Sequence, residues 1–123
     1  ASAIKLVFPE LEGKMEAVAM RVPTADVSVV DFAVEVDNPT TAQEVNAKFK
    51  EAAEGDLKGY LRYSDEELVS SDFIGDPHSA IFDAPLTSVV QGNLVKVIGW
   101  YDNEYGYSSR VIDLIEYVRD SAK

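Results

Sequence analysis

Hydrophobic residues recur along the chain with two different periods, and the alternating period predicts β-strands. In residues 27–36, apolar positions alternate with Asp31, Ala33 and Glu35, which predicts a strand with one buried face. A continuous apolar run predicts a second strong strand at residues 94–101. Shorter segments of β type are predicted at residues 16–22, 60–63, 68–70, 80–82 and 87–91. The stretch 23–26 contains Pro and Asp and predicts a turn between the strands predicted at residues 16–22 and 27–36.

The helical period appears in two long segments. Residues 41–53 begin with Thr41 and Glu44 at capping-box spacing, and Gly55 is the expected end of this helix. Residues 106–121 form an amphipathic helix that needs a partner surface, with one apolar face made of Tyr107, Val111, Leu114, Ile115 and Val118. Residues 1–11 show helical spacing that Pro9 interrupts, which is typical of the end of a helix.

The order of these elements favours an α+β fold. Long strands with few helices between them predict a largely antiparallel or mixed β-sheet with helices packed on one face, rather than a doubly wound α/β fold. No repeat or linker divides the 123 residues, so we expect a single domain over residues 1–123.

Composition narrows the classes of function. The formal net charge of -11 repels phosphate backbones and anionic lipid, so we expect no nucleic-acid partner and no membrane partner. No signal sequence or apolar run of membrane-spanning length is present, and we expect a cytoplasmic protein. The absence of Cys excludes disulfides, a catalytic thiolate and a cysteine-based metal site within this chain.

The residues themselves supply no complete catalytic constellation. His78 is the one histidine of the chain and lies in the turn-like sequence DPHS, where a loop residue is more common than a catalytic base. Carboxylates such as Asp65, Glu66, Glu67 and Asp72 form either an acid/base pair or, as is more common, part of a solvated loop, and their spacing does not distinguish the two. The spacing of these side chains matches no metal-binding motif and no phosphate-binding loop.

Two positions nevertheless suggest binding. Arg21 lies among apolar residues, where an inward-facing guanidinium would need an anion such as phosphate; alternatively it faces outward or pairs with a carboxylate such as Asp31. The second position, residues 100–107, reads WYDNEYGY and joins a buried strand to a helix. Such a junction either carries a binding site or packs its aromatic rings as core.

This second stretch carries a resemblance to a known family. The nine residues 100–108, WYDNEYGYS, match the signature before the last helix of the glyceraldehyde-3-phosphate dehydrogenases. Further stretches agree in order and spacing: LEGK at 11–14, RVPT at 21–24, VSVVD at 27–31, AAEG at 52–55, LKG at 57–59 and SSDF at 70–73. The resemblance covers nearly the whole chain and places it in the C-terminal part of the catalytic domain.

The resemblance implies roles for three residues. Arg21 corresponds to the arginine that helps to hold the phosphates of the substrate and of inorganic phosphate. Asn103 corresponds to the asparagine that binds the nicotinamide carboxamide of NAD, and Tyr107 to a tyrosine packed near that ring. In place of the usual Pro-Asn after RVPT, this chain has Ala25 and Asp26, and Asp26 adds negative charge near the expected phosphate contact.

The resemblance also implies what this chain lacks. Family members oxidise a phosphorylated triose in glycolysis through a cysteine assisted by a histidine, and both belong to segments that would precede residue 1. His78 does not correspond to that histidine. We therefore expect the chain alone to be inactive, and to associate with a cofactor-binding domain or as a homo-oligomer. The alternative is a stable, self-associating scaffold without enzymatic function, excised or redesigned.

Overall fold

The computed structural model describes residues 4–122, which contain a four-stranded sheet and several helices. Four strands form the sheet: β1 (Ser28–Glu35), β2 (Leu61–Ser64), β3 (Ala80–Val90) and β4 (Leu94–Tyr101). Three α-helices accompany them: α1 (Ile4–Val7), α2 (Ala42–Glu54) and α3 (Tyr105–Ser121). Two short 3-10 helices lie at Pro9–Leu11 and Ser70–Phe73. No helix among the described residues is long and apolar enough to cross a membrane.

The sheet is mixed, with strand order β1-β4-β3-β2. The strand β4 pairs antiparallel with β1 on one side and with β3 on the other, whereas β2 runs parallel to β3. This arrangement confirms the predicted α+β class with a mixed sheet. It also places the end of β4 beside the start of β1, since Tyr101 pairs with Ser28.

A capping box and a glycine mark the two ends of helix α2. The side chain of Thr41 accepts a hydrogen bond from Glu44 N, while the Glu44 carboxylate accepts from Thr41 N, which confirms the predicted capping box. The helix is followed by Gly55 at its C-cap position, as expected. Its apolar face packs Val45, Phe49 and Ala52 against the sheet.

The larger core lies between α2 and this face of the sheet. Phe82 is 2% exposed and stacks on Phe49 with ring centroids 3.9 Å apart. The other buried residues of this cluster are Leu61, Ala84, Val95 and Val97. On the opposite face, Ile81, Phe73 and Val27 form a smaller cluster with Trp100 against it.

Four predicted β segments differ from the structure. Residues 16–22 form no strand: no ladder partner lies beside them among the described residues, and the side chains of Val18 and Met20 are more than four-fifths exposed. Residues 68–70 lead into a 3-10 helix instead. The two predicted segments 80–82 and 87–91 belong to one strand, β3, whose register shifts between Asp83 and Ser88. Pro85 lies within this shift, where a proline does not interrupt the hydrogen-bond ladder.

The ends of the chain agree with the predictions where the structure describes them. Short helical turns at Ile4–Val7 and Pro9–Leu11 confirm a helical start broken near Pro9, and residues 1–3 lie outside the described residues. Helix α3 covers the predicted segment and begins one residue earlier, at Tyr105.

We expect Phe82→Ala to lower the free energy of unfolding by about 3–5 kcal/mol, because the substitution leaves a cavity opposite Phe49. Denaturant unfolding followed by circular dichroism measures this change. The matched control is Phe32→Ala, since Phe32 is 39% exposed on the edge strand β1 and should lose much less. Equal losses in the two variants would contradict this assignment of the core.

Candidate functional site

The turn between β4 and α3 is built around the carboxylate of Asp102. One carboxylate oxygen accepts hydrogen bonds from Glu104 N at 2.9 Å and Tyr105 N at 2.7 Å. The other accepts from Gly75 N at 2.8 Å, in a loop 27 residues earlier. Asp102 is 2% exposed, so its carboxylate both caps the start of α3 and fastens that start to the neighbouring loop.

This environment favours the ionised form of Asp102. Burial raises the pKa of the carboxyl, but hydrogen bonds from the backbone N–H groups of Tyr105, Gly75 and Glu104 outweigh burial. The pKa therefore lies below its ordinary value. Backbone donors thus stabilise this buried anion, and no lysine or arginine among residues 4–122 pairs with it.

A second contact fixes where α3 leaves the sheet. Gly106 is buried in the first turn of α3, and a Cβ at this position would lie 2.8 Å from the carbonyl oxygen of His78. A side chain cannot fit at that distance, so the close approach requires glycine. The next turn of the helix adds Arg110, which donates to the Ser79 hydroxyl at 3.1 Å and lies over the ring of Tyr60 at 4.7 Å.

The loop under Gly106 is held by a polar cluster. Asp76 accepts a hydrogen bond from Arg62 at 2.8 Å and from His78 N at 2.9 Å, and its carboxylate lies 2.7 Å from His78 Nδ1. Burial raises the pKa of Asp76, but the hydrogen bonds from His78 and Arg62 have the larger effect. The pKa of Asp76 therefore lies below its ordinary value. His78 is thus a loop residue, as predicted, and its role here is to hold the loop.

Asn103 lies on the exposed side of the turn, directly after the buried Asp102. Its side-chain oxygen Oδ1 accepts a hydrogen bond from the Ser28 hydroxyl at 3.0 Å. Among the described residues, its Nδ2 group donates to no protein acceptor. The exposed end of this side chain is therefore an amide donor, which suits a carbonyl oxygen of a ligand.

Tyr107 lies in the first turn of α3, two residues after Tyr105, and its side chain is 71% exposed. The ring of Tyr107 is not packed as core, whereas Trp100 at the start of the same junction packs against the smaller core cluster.

Arg21 lies apart from this turn. It belongs to the extended segment before β1, is exposed, and makes no ion pair or hydrogen bond within residues 4–122. Asp31, the carboxylate suggested as its alternative partner, instead pairs with Lys96 at 2.9 Å. The structure thus brings Asn103 to Ser28 at the end of the sheet, and it brings Arg21 into contact with neither Asn103 nor Tyr107.

Two concave surfaces lie elsewhere. An apolar groove of about 750 Å³ runs between α2 and the edge strand β1, and Phe32, Val34, Val45, Phe49, Val95 and Val97 line much of it. A smaller polar concavity of about 370 Å³ is bordered by Lys50, Lys58, Arg62 and His78. Within the described part of the chain, no three side chains of His, Asp or Glu are grouped so as to hold a metal ion.

Comparison with known proteins identifies the family. The sequence profile described as "Glyceraldehyde 3-phosphate dehydrogenase, C-terminal domain" matches residues 1–103. The chain belongs to the glyceraldehyde-3-phosphate dehydrogenase family. The profile match includes Arg21 and Asn103 and ends before Tyr107.

Individual relatives of this family are closely similar. The chain is 58% identical over 118 residues to glyceraldehyde-3-phosphate dehydrogenase 1 of Bacillus subtilis, which covers 96% of the chain and 35% of that relative. It is 55% identical over 123 residues to glyceraldehyde-3-phosphate dehydrogenase 2 of a Synechocystis species, covering all of the chain and 36% of that relative. The chain thus spans about a third of the length of the curated relatives it matches.

The sequence interpretation missed two residues of this site. Asp102 lies two residues before the N-cap residue Glu104, so the usual capping signal directly before a helix does not point to it. Ser28 gave no such signal, because only the pairing of β1 with β4 brings it to Asn103.

We expect Asp102→Asn to lower the free energy of unfolding at pH 7 by about 1–3 kcal/mol, because the amide NH2 would face one of the backbone donors. The folded-state pKa of Asp102 lies below its unfolded value, so its contribution is present above the unfolded pKa. This contribution is lost as the pH falls through the folded pKa, and the difference between variant and wild type should shrink in acid.

Denaturant unfolding at a series of pH values tests this expectation. The control is Asp37→Asn, at an exposed loop position, which should change stability little at any pH. A difference for Asp102→Asn that stays constant from pH 7 to pH 2 would refute the role of its charge.

Proposed function

We propose that this chain forms the C-terminal third of an NAD-dependent glyceraldehyde-3-phosphate dehydrogenase of glycolysis, acting in the cytoplasm. The overall reaction converts an aldehyde, inorganic phosphate and NAD into an acyl phosphate, NADH and a proton. The observation that carries the proposal is the rigid β4–α3 turn, which presents the amide donor of Asn103 and the ring of Tyr107 at the surface.

The proposed role of the turn is to bind and orient the nicotinamide ring. NAD supplies the hydride acceptor of the reaction when it is bound. The Nδ2 group of Asn103 donates to the carboxamide, and Tyr107 packs near the ring. Because Asp102 fixes the backbone on either side of Asn103, the ring is held in one orientation relative to the substrate.

Arg21 is proposed to bind a phosphate, either of the phosphorylated triose or of inorganic phosphate. Its guanidinium is exposed and has no partner among the described residues, in a chain of net charge -11. An arginine left unpaired in so acidic a protein is available for an anionic ligand. Asp26, which follows in the same loop, lowers the local positive potential and should weaken this contact.

Covalent catalysis is proposed to come from the remainder of the enzyme. The chain contains no cysteine, and its matched relatives are about three times as long. A nucleophile and its base in the part of the relatives outside the match would complete the site. The chain alone then contributes binding groups, without turnover.

Two apolar surfaces support association with that remainder. The groove between α2 and β1 is one of them. The other is the face of α3, where Leu114, Ile115 and Val118 are each more than half exposed. Exposed apolar area on this scale is typical of an interface. It also favours the second candidate function, a self-associating scaffold or homo-oligomer.

The binding roles are tested in a chimera of the Bacillus subtilis relative whose matching third is replaced by this chain. We expect Arg21→Ala to weaken phosphate binding by about tenfold or more, since hydrogen bonds to a charged group are lost. We expect Asn103→Ala to weaken NAD binding by about threefold to tenfold. Isothermal titration calorimetry measures both affinities.

Each of these variants serves as the control for the other. Arg21→Ala should leave NAD affinity nearly unchanged, and Asn103→Ala should leave phosphate affinity nearly unchanged. Arg119→Ala removes a charge whose partner is the neighbouring Asp120 and should affect neither ligand. If Arg21→Ala and Arg119→Ala weaken phosphate binding equally, the proposed site is wrong.

For the isolated chain, we expect Ile115→Asp to reduce self-association, because it places a charge in the exposed apolar face of α3. Light scattering coupled to size-exclusion chromatography measures the molecular mass in solution. The control is Arg119→Asp on the same helix, which should leave the mass unchanged. A wild-type chain that is already a monomer would count against the scaffold function.

A further inference from the structure

The loop formed by residues 75–79 contacts the turn between β4 and α3 on both sides of Asn103. Before Asn103, the carboxylate of Asp102 accepts a hydrogen bond from Gly75 N at 2.8 Å. After Asn103, the carbonyl oxygen of His78 lies so close to the first turn of α3 that only glycine fits there. The loop therefore helps to set where the turn that carries Asn103 lies relative to the sheet.

We infer that Asp76 is a positioning residue for the cofactor contact and acts on Asn103 through this loop. The inference rests on the proposed contact between Asn103 and the nicotinamide carboxamide of NAD. Within residues 4–122, no hydrogen bond joins Asp76 to Asn103, so the effect of Asp76 on NAD affinity is indirect.

The middle of the loop is held by the Asp76 side chain rather than by backbone pairing. Pro77 has no N–H group, and His78 N donates to Asp76 Oδ1 at 2.9 Å. The same Oδ1 lies 2.7 Å from Nδ1 of the His78 ring. The position of the His78 carbonyl, which meets α3, therefore depends on the carboxylate of Asp76.

The Asp76 carboxylate is in turn attached to the sheet. Its second oxygen, Oδ2, accepts a hydrogen bond from Arg62 on β2 at 2.8 Å. The Asp76 side chain is 9% exposed, and a hydrogen-bonded ion pair with one buried partner keeps its geometry better than a fully exposed pair. Contacts thus run without a gap from β2 through Asp76 to the turn that carries Asn103.

The last residue of the loop is held independently of Asp76. Ser79 N donates to the carbonyl oxygen of Tyr60 at 2.8 Å, and the Ser79 hydroxyl accepts from Arg110 in α3 at 3.1 Å. These contacts remain when Asp76 is changed. Loss of its carboxylate should therefore release residues 76–78 and displace the start of α3 while the helix stays folded.

Asp76→Asn tests this role in the chimeric enzyme, because the amide keeps the shape of the side chain but cannot accept at both ends. We expect the dissociation constant of NAD, measured by fluorescence titration, to rise by about threefold to fivefold. The dissociation constant of inorganic phosphate, measured by calorimetry, should stay unchanged, because Arg21 lies outside the loop. Glu66→Gln, at an exposed position, is the matched control and should change neither constant.

A double-mutant cycle shows whether Asp76 acts through Asn103. In the Asn103→Ala background, we expect Asp76→Asn to change NAD affinity by less than about 1.5-fold, because the contact that it positions is already gone. An equal fold-change in both backgrounds would overturn the positioning role. So would an equal loss of phosphate affinity and NAD affinity in Asp76→Asn, which would indicate general destabilisation.

Variants of Arg62 test the same connection from the sheet, with Asp76 left in place. Arg62→Gln should weaken NAD binding, whereas Arg62→Lys should retain most of the affinity, since a single nitrogen of Arg62 donates to Asp76. Unchanged NAD affinity in both Asp76→Asn and Arg62→Gln, where Asn103→Ala still weakens it, would refute this inference and leave the proposed function standing. If Asn103→Ala does not weaken NAD binding, the proposed contact fails and this inference fails with it.

Discussion

The carboxylate of Asp102 connects parts of the chain that the sheet alone does not hold together. Its three backbone hydrogen bonds start α3, fasten that start to the loop at Gly75, and leave Asn103 on the exposed side of the turn. A neutral side chain of the same shape cannot accept at both oxygens. The position of the proposed cofactor contact therefore depends on one buried charge.

The close contacts around this turn are each stabilised by more than one interaction. Gly106 allows α3 to meet the carbonyl of His78, and Asp76 holds the loop that carries this carbonyl. Trp100, at the end of β4, stacks on Phe73 and donates to the buried Asp83. Rigid elements on both sides suit a site that must orient a ligand rather than only attract it.

The surfaces farther from the turn are apolar and exposed. Most of α3 beyond Arg110 is exposed despite its apolar face, and the groove beside α2 is open. The chain spans about a third of its relatives' length, and we propose that further protein packs on these surfaces.

Local patterns were sufficient where the determining interactions are local. The capping box of α2, the strand β1 and the helix α3 each depend on residues a few positions apart, and each was predicted from the sequence. The buried face expected for β1 was wrong, because Val30 and Phe32 on that face are 47% and 39% exposed. The bulged strand β3 was predicted as two pieces because Pro85 interrupts the pattern, although the ladder continues on both sides of it.

The sequence by itself determined the class of the fold, the family and the residues at which to look for a site, because short-range periodicity and a nine-residue signature need no tertiary contacts. It did not decide whether residues 16–22 would find a strand partner, how the Asp102 carboxylate would be bonded, or that Ser28 would meet Asn103. Those outcomes depend on pairings between residues far apart in the chain. Only the folded sheet brings such residues within hydrogen-bonding distance.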